Sequence, residues 1–139
     1  MATSKRMKLS AALLTLMIAG WSGIAAAKPC KDFDIKVQNN FKHDGTPVQI
    51  MVVDFDYWDD EKGKWREENF VGNLVIDSGK TTTLANRNLE YVGDKSGVII
   101  RVQFKYMTAK NNWSETLNAQ SSSFICRDGL FKTVFVEPF

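Results

Sequence analysis

"VIIRVQFKYM", residues 98–107, reads as a strand. Val98, Ile100, Val102, Phe104 and Tyr106 fall on one face, and Arg101, Gln103 and Lys105 on the other. Alternation at a period of two marks a half-buried strand, because successive side chains point to opposite faces of a sheet. Working outward, the same period recurs. Phe33, Ile35 and Val37 alternate with Asp34, Lys36 and Gln38 until Asn39-Asn40 breaks the run. The turn signal His43-Asp44-Gly45-Thr46-Pro47 leads into a long second strand over 48–58, which 65–70 answers. Further strands are predicted over 73–77, 81–84, 113–117, 122–126 and 130–136, and only 84–91 offers room for a helical turn. Short strands separated by Gly, Asn and Asp turns imply an all-β fold. The expected architecture is an immunoglobulin-like antiparallel β-sandwich over 28–139, as one domain.

The N-terminus carries a different signal. Lys5, Arg6 and Lys8 precede an apolar run from Leu9 to Gly20, and small residues lead to Ala25-Ala26-Ala27. A basic opening, an apolar stretch of this length and an A-x-A ending describe a secretory signal peptide, residues 1–27, cleaved after Ala27. The expected destination is periplasmic or secreted. Export also changes the charge. The whole chain has 18 basic and 16 acidic residues, but three basic residues and no acidic one leave with the signal. A near-neutral mature chain without clustered Lys/Arg gives no footprint for nucleic acid.

Two cysteines, Cys30 and Cys126, stand near opposite ends of the mature chain. In an oxidising compartment such a pair forms a disulfide, and the spacing fits neither a redox CxxC nor a zinc site.

Within the second strand, Met51, Val53, Phe55 and Tyr57 share one face, while Ile50 and Val52 lead to Asp54, Asp56 and Trp58 on the other. A three-residue hairpin loop, Glu61-Lys62-Gly63, sets Trp58 opposite Arg66 and Asp56 opposite Glu68. Gly63 takes the left-handed position of the turn. Arg66 then covers Trp58 and lies diagonal to Asp56 on a wet face.

Most catalytic and metal chemistries find no support. Asp54 and Asp56 begin like a calcium loop, but its fifth and sixth positions hold Trp58 and Asp59 instead of a ligand and a glycine. The tip, Asp59-Asp60-Glu61, is a solvated charge run with at most a weak ion site. Asp54 and Asp56 lie roughly 6.6–6.8 Å apart along one face, as any i, i+2 pair on a strand does. Acid–base work would need one of them buried, and both are expected to be wet. His43, the only histidine, sits in a turn, and no serine follows a nucleophile-elbow pattern. Ser78-Gly79-Lys80-Thr81 imitates the end of a phosphate loop, but residue 74, where the first glycine belongs, is Leu74. No cofactor or metal is implied, and the chain is not expected to be an enzyme.

Aromatics next to polar residues are the remaining signal. Trp58 lies beside Asp56 and Asp59, and Trp113 beside Asn112 and Ser114. Wet aromatics beside charges are typical of recognition surfaces. The candidate partner-binding residues are therefore Asp54, Asp56, Trp58, Arg66 and Trp113. The expected function is an exported, non-catalytic protein that binds a protein partner in the cell envelope, as an inhibitor or immunity-type protein would. One alternative is a secreted membrane-active protein. Ile35-Lys36-Val37-Gln38-Asn39-Asn40 and the alternating strand after it resemble the opening strands of small pore-forming sandwiches such as the aegerolysins. The resemblance covers about 25 residues, carries no specific motif and assigns no family. A third reading is a carboxylate-dependent hydrolase built on Asp54 and Asp56.

Overall fold

The computed structural model describes residues 26–139; the signal peptide expected over 1–27 lies almost wholly outside them. The chain is all-β. Its strands are β1 (Cys30–Asn39), β2 (Lys42–His43), β3 (Thr46–Pro47), β4 (Ile50–Asp59), β5 (Lys64–Glu67), β6 (Leu74–Ile76), β7 (Thr81–Leu89), β8 (Ile100–Ala109), β9 (Asn112–Trp113), β10 (Leu117–Gln120) and β11 (Phe131–Val136). One sheet has the order β11-β1-β7. A second, larger sheet runs β10-β8-β4-β5, with β6 also pairing with β4 and β9 with β8, and it curls, while β2 and β3 form a two-stranded sheet of their own. Ladders are antiparallel except β1–β11, which is parallel.

Both sheets contribute to one core. β1 supplies Phe33, Ile35 and Val37, and β11 adds Val134 and Val136. β8 brings Ile100, Val102 and Phe104, three members of the alternation that opens the sequence reading, and all are buried. Cys30 and Cys126 form the expected disulfide, with Cα atoms 5.9 Å apart and both residues inside the core cluster. Gly93 packs beside it in the chain's course. Its N–H donates to the Lys28 carbonyl at 2.8 Å, and a Cβ there would stand 2.4 Å from the Pro29 oxygen, so no larger residue fits.

Four local expectations fail. The segment 84–91 holds no helical turn; β7 runs through it to Leu89, and Asn86 at φ 55° absorbs the register shift against β1. The strand expected over 113–117 breaks after Trp113, and that over 122–126 shrinks to a single bridge between Phe124 and Val98.

The fourth failure concerns faces. Val52 pairs with Phe104 and Asp54 with Gln103, so Val53 is an extra residue in β4, a β-bulge. A bulge reverses which residues point inward. Ile50 and Val52 are therefore buried before it, and Phe55, Tyr57 and Asp59 after it. Strict alternation had placed these apolar residues on opposite faces. The bulge lets one strand keep all of them in one core.

Candidate functional site

The β4–β5 hairpin is the most chemically loaded part of the molecule, and its register differs from expectation by one residue. Trp58 faces Trp65, Tyr57 faces Arg66 and Asp56 faces Glu67. The loop holds four residues, 60–63, closed by a bond from the Gly63 N–H to the Asp60 oxygen at 3.3 Å. Gly63 has φ 60°, the left-handed turn conformation expected of it. Because side chains alternate along a strand, moving β5 by one residue transfers Arg66 to the other face of the hairpin. Arg66 therefore neither covers Trp58 nor neutralises Asp56.

Arg101 of β8 does that work instead. It lies opposite Asp56, donates from both Nε (3.0 Å) and Nη2, and holds the carboxylate in a fork. Its guanidinium also lies 4.1 Å from the Trp65 ring centre. Trp65 meets Trp58 edge-on, with centroids 5.4 Å apart, and the Trp58 indole N–H donates to Asp60 at 3.1 Å. Asp54 accepts from the Gln103 amide at 3.4 Å. The outer face thus carries a ledge in which aromatic and charged groups are interlocked. Asp56, expected to be wet, is only 4% exposed, because Arg101 and the flanking strands close over it. The Asp56 carboxylate raises the Arg101 pKa, chiefly through the hydrogen bond.

A second charge cluster occupies the inner side of the hairpin. Asp59 is fully buried, contrary to the expectation of a solvated tip. Its carboxylate accepts from Arg66 Nη2 at 2.7 Å and Nε at 3.1 Å, and from the Lys62 N–H at 3.4 Å. Lys95 approaches within 3.9 Å and also pairs with Glu61. Burial alone would push Asp59 up, but these donors and charges outweigh it and hold the carboxyl below its ordinary value. Arg66 also lies over the Tyr91 ring, 4.1 Å from its centre.

Beside this cluster a polar cleft of about 330 Å³ is lined by Tyr57, Glu67, Glu68, Arg87, Glu90 and Tyr91, among others. Burial pushes the Tyr57 hydroxyl up to about 12. It also raises Glu68, against the opposing pull of Arg87, which bonds it at 3.2 Å. Among the described residues no three His, Cys, Asp or Glu side chains converge as a metal site.

Of the five partner-binding candidates, the structure brings together Asp54, Asp56 and Trp58. Arg66 sits on the opposite face, and Trp113 lies on β9, paired with Met107 near the far end of β8. Six residues separate Met107 from Arg101, roughly 20 Å along a strand. Sequence reasoning missed Trp65 and Arg101. Arg101 was visible as a polar position of residues 98–107, but its role depends on which strand lies beside β8. The chain matches no protein-family model, no curated protein and no solved structure.

Proposed function

We propose that this chain is an exported, non-catalytic binding protein, and that the β4–β5 hairpin engages a protein partner in the cell envelope, in the manner of an inhibitor or immunity protein. We read its two sheets as an immunoglobulin-like sandwich, a reading supported by their shared core. The Cys30–Cys126 disulfide is compatible with an oxidising compartment and hence with export.

The observation that carries the binding reading is the outer ledge, where Trp58 and Trp65 are held edge-on and Arg101 is fixed between Trp65 and Asp56. Trp and Arg dominate binding energy at protein interfaces. Side chains already locked by neighbours lose little freedom on association. The same geometry disfavours the hydrolase reading, since Asp56 is occupied by a bidentate arginine.

Affinity capture from envelope extract tests the proposal with three proteins side by side. Wild type should retain a partner, and Trp58→Ala should weaken it by about 2 kcal/mol or more, as hot-spot truncation does, while folding survives. Trp113→Ala, far along the sheet, should bind like wild type. Equal capture by wild type and Trp58→Ala would remove the hairpin from the binding surface. Leakage from liposomes at low protein concentration would favour the membrane-active alternative.

A further inference from the structure

We propose that the polar cleft between β5 and β7 is a saccharide-binding site that takes a single neutral pyranose ring. Its place follows from topology. β5 is an edge strand of the larger sheet and β7 an edge strand of the smaller, so the cleft opens at the seam between them. It spans about 330 Å³, at the lower end of ligand clefts, which run roughly 300–1,000 Å³. No aliphatic side chain lines it, which disfavours an apolar ligand.

Two β-bulges deliver its donors. The bulge at Val53 turns Tyr57 inward, so the residue is only 1% exposed while its side chain lines the cleft. The Glu90 N–H is directed at the phenolic oxygen, but the phenolic proton meets no acceptor among the described residues. In β7 the register against β1 shifts about Asn86, and Arg87 comes opposite Phe33, a core residue. The guanidinium is thereby aimed between the sheets, 5.3 Å from the Phe55 ring centre. Its Nη2 bonds both Glu68, at 3.2 Å, and the Asn69 carbonyl, at 2.6 Å. Its Nε is the one buried side-chain nitrogen or oxygen without a partner among the described residues. Buried donors are nearly always satisfied, so an unmet one calls for an acceptor that the protein does not supply. Bulges recur beside functional sites because they re-aim side chains in this way.

Acceptors share the cleft. The carboxylates of Glu67 and Glu90 line it and take part in no ion pair or hydrogen bond with the described residues. This mixture decides the chemical class. An ammonium would satisfy the glutamates but offers no acceptor to Tyr57 or Arg87, whose charge would also repel it. A phosphate or carboxylate would satisfy Arg87 but meet three glutamates. A hydroxyl both donates and accepts, so the neighbouring hydroxyls of a neutral sugar answer both sets at once. Tyr91, 37% exposed in the lining, supplies ring surface for the C–H face of a pyranose.

Saturation-transfer NMR on the disulfide-intact protein tests the assignment, with glucose, galactose, mannose and N-acetylglucosamine as probes. Spermidine and inorganic phosphate serve as cation and anion controls. At least one sugar should receive saturation. A roughly tenfold rise in salt should leave its affinity unchanged, since a neutral ligand makes no ion pair. Tyr57→Phe removes only the hydroxyl, and Glu90→Gln only the charge of an exposed side chain. Each should weaken the sugar at least about fivefold, the scale of one lost hydrogen bond, with circular dichroism unchanged. Glu90→Gln keeps the test independent of any packing change at the buried Tyr57. Absence of transfer to all four sugars, sugar binding that both variants leave intact, or binding of spermidine or phosphate in place of sugar would each overturn the proposal.

Discussion

The β4–β5 hairpin and the β11 edge both present aromatic rings to solvent, yet they manage exposure in opposite ways. On the hairpin every ring has a polar escort: Trp58 donates to Asp60, Trp65 lies under Arg101, and Arg101 is anchored by Asp56. On β11, the Phe131 ring meets the Lys36 ammonium, Phe135 has no such escort among the described residues, and both rings are about half exposed. A surface with internally satisfied groups offers preorganised side-chain contacts and resists indiscriminate pairing. The same chain therefore carries one face whose rings are held by polar neighbours and one whose rings are not.

The comparison is broken most severely at Asp59. Removing one partner of a buried ion pair costs about 3–5 kcal/mol, because the other charge is left uncompensated. Asp59→Ala should show that loss in urea unfolding, since it strands Arg66, while Lys95 keeps its pair with Glu61. The pH dependence has a definite sign. A carboxyl held below its ordinary value contributes stability that is present above about pH 4 and lost as pH falls through its folded-state pKa. Wild type should therefore lose more stability on acidification than Asp59→Asn. An identical acid limb in the two proteins would contradict the Asp59–Arg66–Lys95 arrangement.

Next in size is Arg101→Ala. It leaves the Asp56 carboxylate buried without its fork of donors, which costs about 1–3 kcal/mol, and it uncovers Trp65. Arg66→Ala should leave Trp65 fluorescence closer to wild type, because Arg66 faces Tyr91 on the other side. This contrast also marks the limit of what the sequence disclosed. The strands with strict alternation, β1 and β8, were legible because each buries one face against the same core. The disulfide was legible because two cysteines admit one pairing. The hairpin was legible as a hairpin, but Gly63 takes a left-handed φ in either a three- or a four-residue loop, so the glycine does not choose the register. What chooses it is tertiary: Asp59 is drawn into the strand by Arg66 and Lys95. The bulge at Val53 left no glycine or other local mark. Arg101, 45 residues from Asp56, becomes its partner only when β8 lies beside β4.

At the β11 edge the expected stability effects are smaller. Phe135 is half exposed, so Phe135→Ala should cost only about 1 kcal/mol of monomer stability, well below the 3–5 kcal/mol of a core Phe→Ala such as Phe55→Ala. Chemical denaturation of the two variants side by side isolates this number. A loss at Phe135 equal to that at Phe55 would mean the ring is packed, and the contrast between the two surfaces would disappear.

The smallest effect sharpens the description of the hairpin, because one of its charges is not well served. Burial raises the Glu68 carboxyl despite its bond to Arg87, and the nearby Glu90 charge pushes in the same direction. The sign is therefore opposite to that of Asp59. A group whose folded-state pKa is raised contributes stability below its unfolded value of about 4.3, and that contribution is lost as pH rises through the folded-state value. Ionisation of Glu68 is a mild liability that its partial pairing with Arg87 does not fully offset. Glu68→Gln keeps the shape, removes the buried charge, and leaves Arg87 its 2.6 Å bond to the Asn69 carbonyl. Its melting temperature at pH 7 should equal or slightly exceed that of wild type, by less than the equivalent of about 1 kcal/mol, the scale of a partly exposed pair. Below pH 4 the two should converge, because protonated Glu68 and glutamine both lack the buried charge. If Glu68→Gln is strongly destabilised at pH 7, its pair with Arg87 is a structural anchor like that of Asp59 with Arg66, and the hairpin has no poorly served charge.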